Sequence, residues 1–202
     1  MAVLSESAPR IAVIVLAAGR STRMGTANKL VADIGGKPMV RGVAEVALAS
    51  QTAMVLVVTG HMAAEVSSAL AGLDVTLVAN PDYATGLASS LKAGIRASPP
   101  SCDGALILLG DMPQIAPDHL DTLMAAFAPD TIVVPVHEGK QGNPVLWPAG
   151  FFPELLQLDG DAGAKLLIGT HAAHVREVDL ATDAIFADID TPEALARLRR
   201  NP

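Results

Sequence analysis

Apolar residues gather in short blocks along this chain, and the blocks are of two kinds. Ile11–Leu16, Ala53–Val58, Val75–Val78 and Ala105–Leu109 are almost uninterrupted apolar runs of strand length. They are β-branched or uniformly apolar, and nearly all close on Gly, Asn or Asp, so they read as buried strands. Between them, Met39–Ala49, Ala63–Leu70, Leu87–Ala97 and Asp118–Phe127 mix apolar and polar positions at helical spacing. Strand and helix in alternation predict right-handed crossovers and a parallel sheet covered on both faces.

The pattern changes after residue 130. Thr131–Val136 and Asn143–Trp147 flank the polar stretch HEGKQG, which predicts a hairpin. FFPELLQL and GDAGAKLLIG read as short helices, and Val175–Val178 and Ile185–Ala187 as late strands. DTPEALARLRR predicts a closing helix with Thr191 as N-cap, Pro192 in first helical position, Glu193 in the first turn and arginines at the end. The expected fold class is α/β: one Rossmann-like three-layer domain with a mostly parallel central sheet and a small hairpin and helical annex. Its expected parts are a first half over about 10–130, a second over about 131–190 and the closing helix over 191–202.

Composition narrows the partners. The 202 residues are 50% hydrophobic but only 3% aromatic, so the core is built of small aliphatic side chains. A net charge of -7 argues against nucleic acid or an anionic membrane surface as partner. Cys102 is the single cysteine, which removes an intrachain disulfide and a cysteine zinc cluster. His61, His119, His137, His171 and His174 show no metal-ligand spacing, and the methionines read mostly as core filler. No basic segment precedes a long apolar one at the start, and no apolar run approaches the roughly 20 residues of a membrane helix, so a cytoplasmic protein is expected.

Against that acidic background one segment is purely cationic. Between Glu6 and Asp33 there is no carboxylate, whereas Arg10, Arg20, Arg23 and Lys29 all fall there. The segment follows the first strand as VIVLAAGRSTRMGTANKL. In an open α/β sheet, ligands collect at the carboxyl ends of strands. Gly19 and Gly25 permit tight turns and close backbone approach, successive N–H groups cradle phosphate oxygens, Arg23 offers a bidentate grip and Lys29 a point charge. The stretch is neither G-x-G-x-x-G nor a Walker loop, since Gly25 is followed by Thr26.

LAAGRSTRMG followed by Lys29 resembles the signature of the nucleotidyltransferases that activate molybdopterin, a MobA-like group. Ala18, where other members carry a second glycine, resembles the molybdenum cofactor cytidylyltransferase branch. GGKPMV, GLASSL, GDMP, GNPVL, GDAGAKLLI and DIDTPEAL follow in that family's order, so the resemblance spans almost the whole chain. It implies transfer of CMP from CTP to a molybdenum-bearing molybdopterin with Mg²⁺, in the service of a molybdenum hydroxylase.

The remaining candidates stand at strand ends or helix starts, each beside a plainer role. Asp111, just past an apolar strand, suits a Mg²⁺ ligand or a turn cap before Pro113. Asp188 and Asp190 share one face of an extended segment, and Asp190 suits a second metal carboxylate or the start of the last helix. Gly86, Ser89 and Ser90 offer helix-start N–H groups and hydroxyls to a base or phosphate, or cap that helix. Thr59, Gly60 and Asn80 end strands. What the resemblance implies is Leu16, Ala17, Ala18, Gly19, Arg23, Gly25 and Lys29 around the nucleotide, with Arg23 and Lys29 catalytic. It further implies Thr59, Gly60, Asn80, Gly86, Ser89 and Ser90 near base and ribose, Asp111 and Asp190 on the metal, and Gly142, Asn143, Pro144 and Gly160 near the acceptor. For Gly142, Asn143 and Pro144 a plain hairpin turn is the alternative, and for Gly160 an ordinary helix start.

Overall fold

A computed structural model describes residues 8–20, 28–160 and 164–200. Its strands are β1 (Ile11–Ala17), β2 (Asp33–Ile34), β3 (Lys37–Pro38), β4 (Met54–Thr59), β5 (Thr76–Ala79), β6 (Gly104–Leu109), β7 (Ile132–His137), β8 (Lys140–Gln141), β9 (Val145–Pro148) and β10 (Val175–Asp179). The helices are α1 (Met39–Ala49), α2 (Ala63–Ala69), α3 (Leu87–Ala97), α4 (Pro117–Ala125), α5 (Phe152–Leu155), α6 (Lys165–Thr170) and α7 (Pro192–Arg200). The main sheet runs β10-β7-β9-β6-β1-β4-β5, with β8 paired to β7. β4, β1 and β6 are parallel neighbours in the middle, as the alternation of strand and helix predicts.

Alternate residues of β1 explain the three layers, because successive strand side chains point to opposite faces. Ile11, Val13, Val15 and Ala17 join one apolar core with α1, α2 and α4. Ile14 and Leu16 join the other, with Leu91 and Ile95 of α3, Trp147 and Leu155. α7 makes a third, small cluster: Leu195 and Leu198 pack with Ile189 and Met39. Thr191 Oγ1 accepts the Ala194 N–H at 3.2 Å, which is the expected N-cap. Among the described residues no helix is long and apolar enough to cross a membrane.

Four expectations are corrected. β7 and β9 are not a simple hairpin. The tight hairpin is β7–β8, closed by Glu138 (φ 49°) and Gly139 (φ 73°), both in the left-handed region that such turns require. β9 then inserts between β6 and β7, antiparallel to β6, because the apolar Val145–Trp147 run is buried on both faces. Ile185–Ala187 is no strand: Asp183–Phe186 forms a 3-10 turn capped by Thr182, since β7 already has partners on both sides. Val75–Val78 is not buried: β5 is the outermost strand, and Leu77 is exposed. Arg10 lies at the opposite end of β1 from the basic loop, where its N–H bonds Asp103 Oδ2 at 2.7 Å.

Helix α3 sits close to the sheet at Gly94. A Cβ there would lie 2.4 Å from Cγ2 of Ile14 and 3.2 Å from Cγ2 of Val58, both fully buried side chains. Alanine adds about 1 kcal/mol of helix propensity, whereas overpacking a tight core costs about 1–3 kcal/mol. Gly94→Ala is therefore expected to lower the urea midpoint; an equal or higher midpoint contradicts this packing.

Candidate active site

The carboxyl ends of β1 and β6 open onto one cleft of about 490 Å³. From β1 come Leu16, Ala18, Gly19 and Arg20. The opposite wall is Tyr83, Gly86, Leu87 and Ser90, and the floor holds Lys29, Leu109, Asp111 and Asp190.

Lys29 is aimed by its neighbours. Asn28 Oδ1 accepts the Leu30 N–H at 3.0 Å and starts a 3-10 turn over Lys29–Val31. Leu30 is buried in the core, which leaves the Lys29 side chain on the cleft side. Asp111 follows β6 through Gly110, whose N–H donates to Leu16 O at 3.0 Å; a Cβ on Gly110 would meet that same oxygen. Asp190 is brought in by the backbone next to it, because Ile189 N–H donates to Asp111 O at 3.0 Å.

These segments converge on one ammonium. Lys29 Nζ lies 2.5 Å from Asp111 Oδ2 and 2.6 Å from Asp190 Oδ1. The Lys29 side chain is 11% exposed, Asp111 16% and Asp190 35%. Burial opposes the charge on Lys29, but attraction to Asp111 and the bonds to both carboxylates outweigh it and hold its pKa above the ordinary lysine value. Burial pushes the Asp111 carboxyl up; Lys29 and the backbone pull it back, and the nearby charge of Asp188 adds to the rise. Asp190 thus touches the lysine, while Asp188 acts on Asp111 as a charge.

The donor set suits a small hard cation. Magnesium takes one or two carboxylates and completes its shell with phosphate oxygens and water. Asp111 and Asp190 offer two carboxylates converging on one point. Among the described residues no cluster of three or more His, Cys, Asp or Glu makes a self-sufficient metal cage.

Other candidates divide by place. Arg23 and Gly25 lie outside the described residues. Ala17 is buried in the core and pairs with Thr59 of β4. Gly60 is a close-approach position: a Cβ would lie 2.6 Å from Cβ of Tyr83 and 2.8 Å from Cβ of Ala18. Asn80 is buried and fully engaged. Its Nδ2 donates to Ser89 Oγ (2.9 Å) and Ser90 Oγ (3.1 Å), and its Oδ1 accepts the Asp82 N–H (3.0 Å). It holds the wall in place, and only Ser90 of this trio lines the cleft. Gly160 O accepts the Ala88 N–H at 3.1 Å, which supports the start of α3.

Gly142 and Asn143 line a second cavity of about 280 Å³ that shares Leu16, Leu87 and Leu109 with the cleft. Its interior is apolar, with Trp147, Ile107 and Val134, and Gln141 and Lys165 supply polar groups. Pro144 follows a cis peptide bond at the start of β9. Sequence reasoning missed Tyr83, Lys165 and this cavity. Tyr83 carried one signal, as the only tyrosine of an aromatic-poor chain placed after a strand. The cavity carried none, because it exists only once β9 enters the sheet.

Residues 13–176 match the family described as MobA-like NTP transferase domain. The chain is 34% identical to "Purine catabolism protein PucB" of Bacillus subtilis, over 95% of this chain and 97% of that protein. It is 27% identical to "Molybdenum cofactor cytidylyltransferase" of Escherichia coli, over 89% of this chain and 91% of that protein. It is 26% identical to "Nicotine blue oxidoreductase" of Paenarthrobacter nicotinovorans, over 94% and 97%. Among solved structures, Rv0371c of Mycobacterium tuberculosis in complex with manganese superposes with a TM-score of 0.83 at 27% identity, over 96% of this chain and all of that one.

The bonds of Asn80 give a direct test of the wall. Asn80→Ala leaves the buried Ser90 hydroxyl without its donor and removes the bonds to the half-buried Ser89 hydroxyl and the Asp82 N–H, a loss of about 1–3 kcal/mol. Chemical denaturation is expected to show that loss, with weaker nucleotide binding by calorimetry; unchanged stability contradicts the role.

Proposed function

The chain belongs to the MobA-like NTP transferase family, a family of nucleotidyltransferases, and on that premise we propose that it transfers CMP from CTP to the terminal phosphate of a molybdenum-bearing molybdopterin, releasing pyrophosphate. The observation that carries the reading is the buried ammonium flanked by two carboxylates at the carboxyl end of the sheet. The acceptor phosphate attacks the α-phosphorus, the bond from that phosphorus to the bridging oxygen breaks, and pyrophosphate leaves with the charge. A phosphate monoester is already anionic, so the reaction needs alignment and neutralisation of charge more than a strong base.

Each residue then has a task. Lys29 carries its ammonium to the α-phosphate as charge builds there. Arg20, on the cleft wall, and Arg23, with the backbone N–H groups after Gly19, take the outer phosphates. Gly86 lets base and ribose approach the backbone, Gly60 lets Tyr83 pack against Ala18 beside them, and Ser90 presents a hydroxyl steadied by Asn80. Asp111 and Asp190 would hold Mg²⁺, which supplies charge neutralisation across the phosphates when bound. The second cavity takes the acceptor: a flat heterocycle suits the apolar interior around Trp147, with Gln141, Asn143 and Lys165 for its polar edges and phosphate. A molybdenum hydroxylase is the proposed recipient of the product.

The name of the Paenarthrobacter relative supports a second reading, an oxidoreductase, for which a nicotinamide dinucleotide would be the cofactor to expect on an open α/β sheet. Against it, the residues after Gly19 are Arg20, Ser21, Thr22 and Arg23, not the G-x-G-x-x-G turn that accommodates a dinucleotide. A carrier that binds the acceptor without chemistry, or a pyrimidine transferase for methylerythritol phosphate or a sugar phosphate, gives different assay results.

Pyrophosphate release is measured with CTP, GTP, ATP or UTP and each acceptor. The expected result is release only with CTP and the molybdopterin acceptor. Lys29→Ala and Asp111→Ala are expected to lower turnover by a factor on the order of 10²–10³, with the fold intact by circular dichroism. Full turnover in either variant contradicts the assignment. Acceptor binding without pyrophosphate release favours the carrier.

A further inference from the structure

Lys29 and a divalent ion compete for the same two carboxylate oxygens. Nζ stands 2.5 Å from Asp111 Oδ2 and 2.6 Å from Asp190 Oδ1. A magnesium ion bonded to those oxygens sits about 2.0–2.1 Å from each, and so within about 4.6 Å of the ammonium. Two cations at that separation also repel strongly in a partly buried site.

We propose that Lys29 keeps the carboxylate pair closed to divalent ions until a nucleoside triphosphate arrives, and that the triphosphate draws the ammonium away so that ion and nucleotide load together. This rests on Asp111 and Asp190 being the metal ligands.

The fixed and movable parts of the site are arranged for that exchange. The Asp111 backbone is held by Ile189, and the neighbouring Met112 is buried in the core. The Lys29 backbone is fixed by the Asn28 cap and the buried Leu30, but its four-carbon stem lets the ammonium swing. It borders the cleft that would take the phosphates. Where one ligand removes the obstacle to another, the two bind with positive and reciprocal coupling. Without the lysine, only the nucleotide's own chelation of the ion remains to couple them.

The test uses the full chain, Mn²⁺ as probe, and a CTP analogue with a methylene bridge between the α- and β-phosphorus, so that no turnover occurs. Free Mn²⁺ is read by electron paramagnetic resonance. The wild type is expected to bind Mn²⁺ weakly alone and much more tightly with the analogue. Lys29→Met is expected to bind Mn²⁺ alone about tenfold or more tightly than wild type, with the coupling reduced by a similar factor. Lys92→Met removes the same charge from the Lys92–Asp159 pair elsewhere and is expected to match wild type. The proposal is overturned if Lys29→Met binds Mn²⁺ no more tightly than wild type, or if Lys92→Met tightens it equally. Equal Mn²⁺ affinity of the wild type with and without the analogue overturns it as well, and needs no variant. Asp111→Asn separates the two ideas. If it leaves Mn²⁺ binding with the analogue unchanged, the metal-site reading itself falls. If it weakens that binding while Lys29→Met fails to tighten the free protein, only the exclusion by Lys29 falls.

Discussion

A lysine ammonium held between two carboxylates is the contact around which this domain is organised. It joins positions 82 and 161 residues apart along the chain. Taking such charges out of water is costly, and the cost is offset only when each group finds a partner. Attraction to Asp111 keeps Lys29 charged despite its burial, in a setting where water screens the pair weakly.

The rest of the fold serves to hold those three side chains together. The parallel pairing of β1 with β4 and β6 brings their carboxyl ends to one edge. Gly110 lets the chain pass close to Leu16 and turn towards Asp111. Ile189 packs in the α7 cluster, so the last helix fixes the segment that carries Asp190. On the far wall, Asn80 ties the end of β5 to the start of α3, and Gly60 lets Tyr83 lie against Ala18. None of these supports is itself charged, yet each sets a distance in the charged centre.

How much of this was legible in the sequence depends on how local the cause is. The central strands were legible because apolar runs buried on both faces look the same wherever they occur. That Asp111 falls just past a strand and Asp190 just before a helix was legible because strand ends and helix starts are marked by Gly, Asp, Thr and Pro. The direct meeting of Lys29 with both carboxylates was not, since it depends on pairings across most of the chain. β9 was read as a hairpin arm because adjacency in sequence suggests adjacency in the sheet; its apolar content on both faces suits a central position instead. Ile185 looked like a strand residue, but its turn packs beside β7, which already has a strand partner on each side. Arg10 was grouped with the basic loop by sequence distance, although the length of β1 separates them. The apolar cavity beside Asn143 could not be read at all, because its walls come from β6, β7, β9, α3 and α6.

The most direct measurement is a crystal structure of the chain with the non-hydrolysable CTP analogue and Mn²⁺, located by its anomalous signal. The account predicts the manganese between Asp111 and Asp190, with Lys29 turned onto the α-phosphate and the base against the wall formed by Gly60, Tyr83 and Ser90. A nucleotide bound away from the end of β1, or manganese away from those carboxylates with Lys29 still between them, would contradict it.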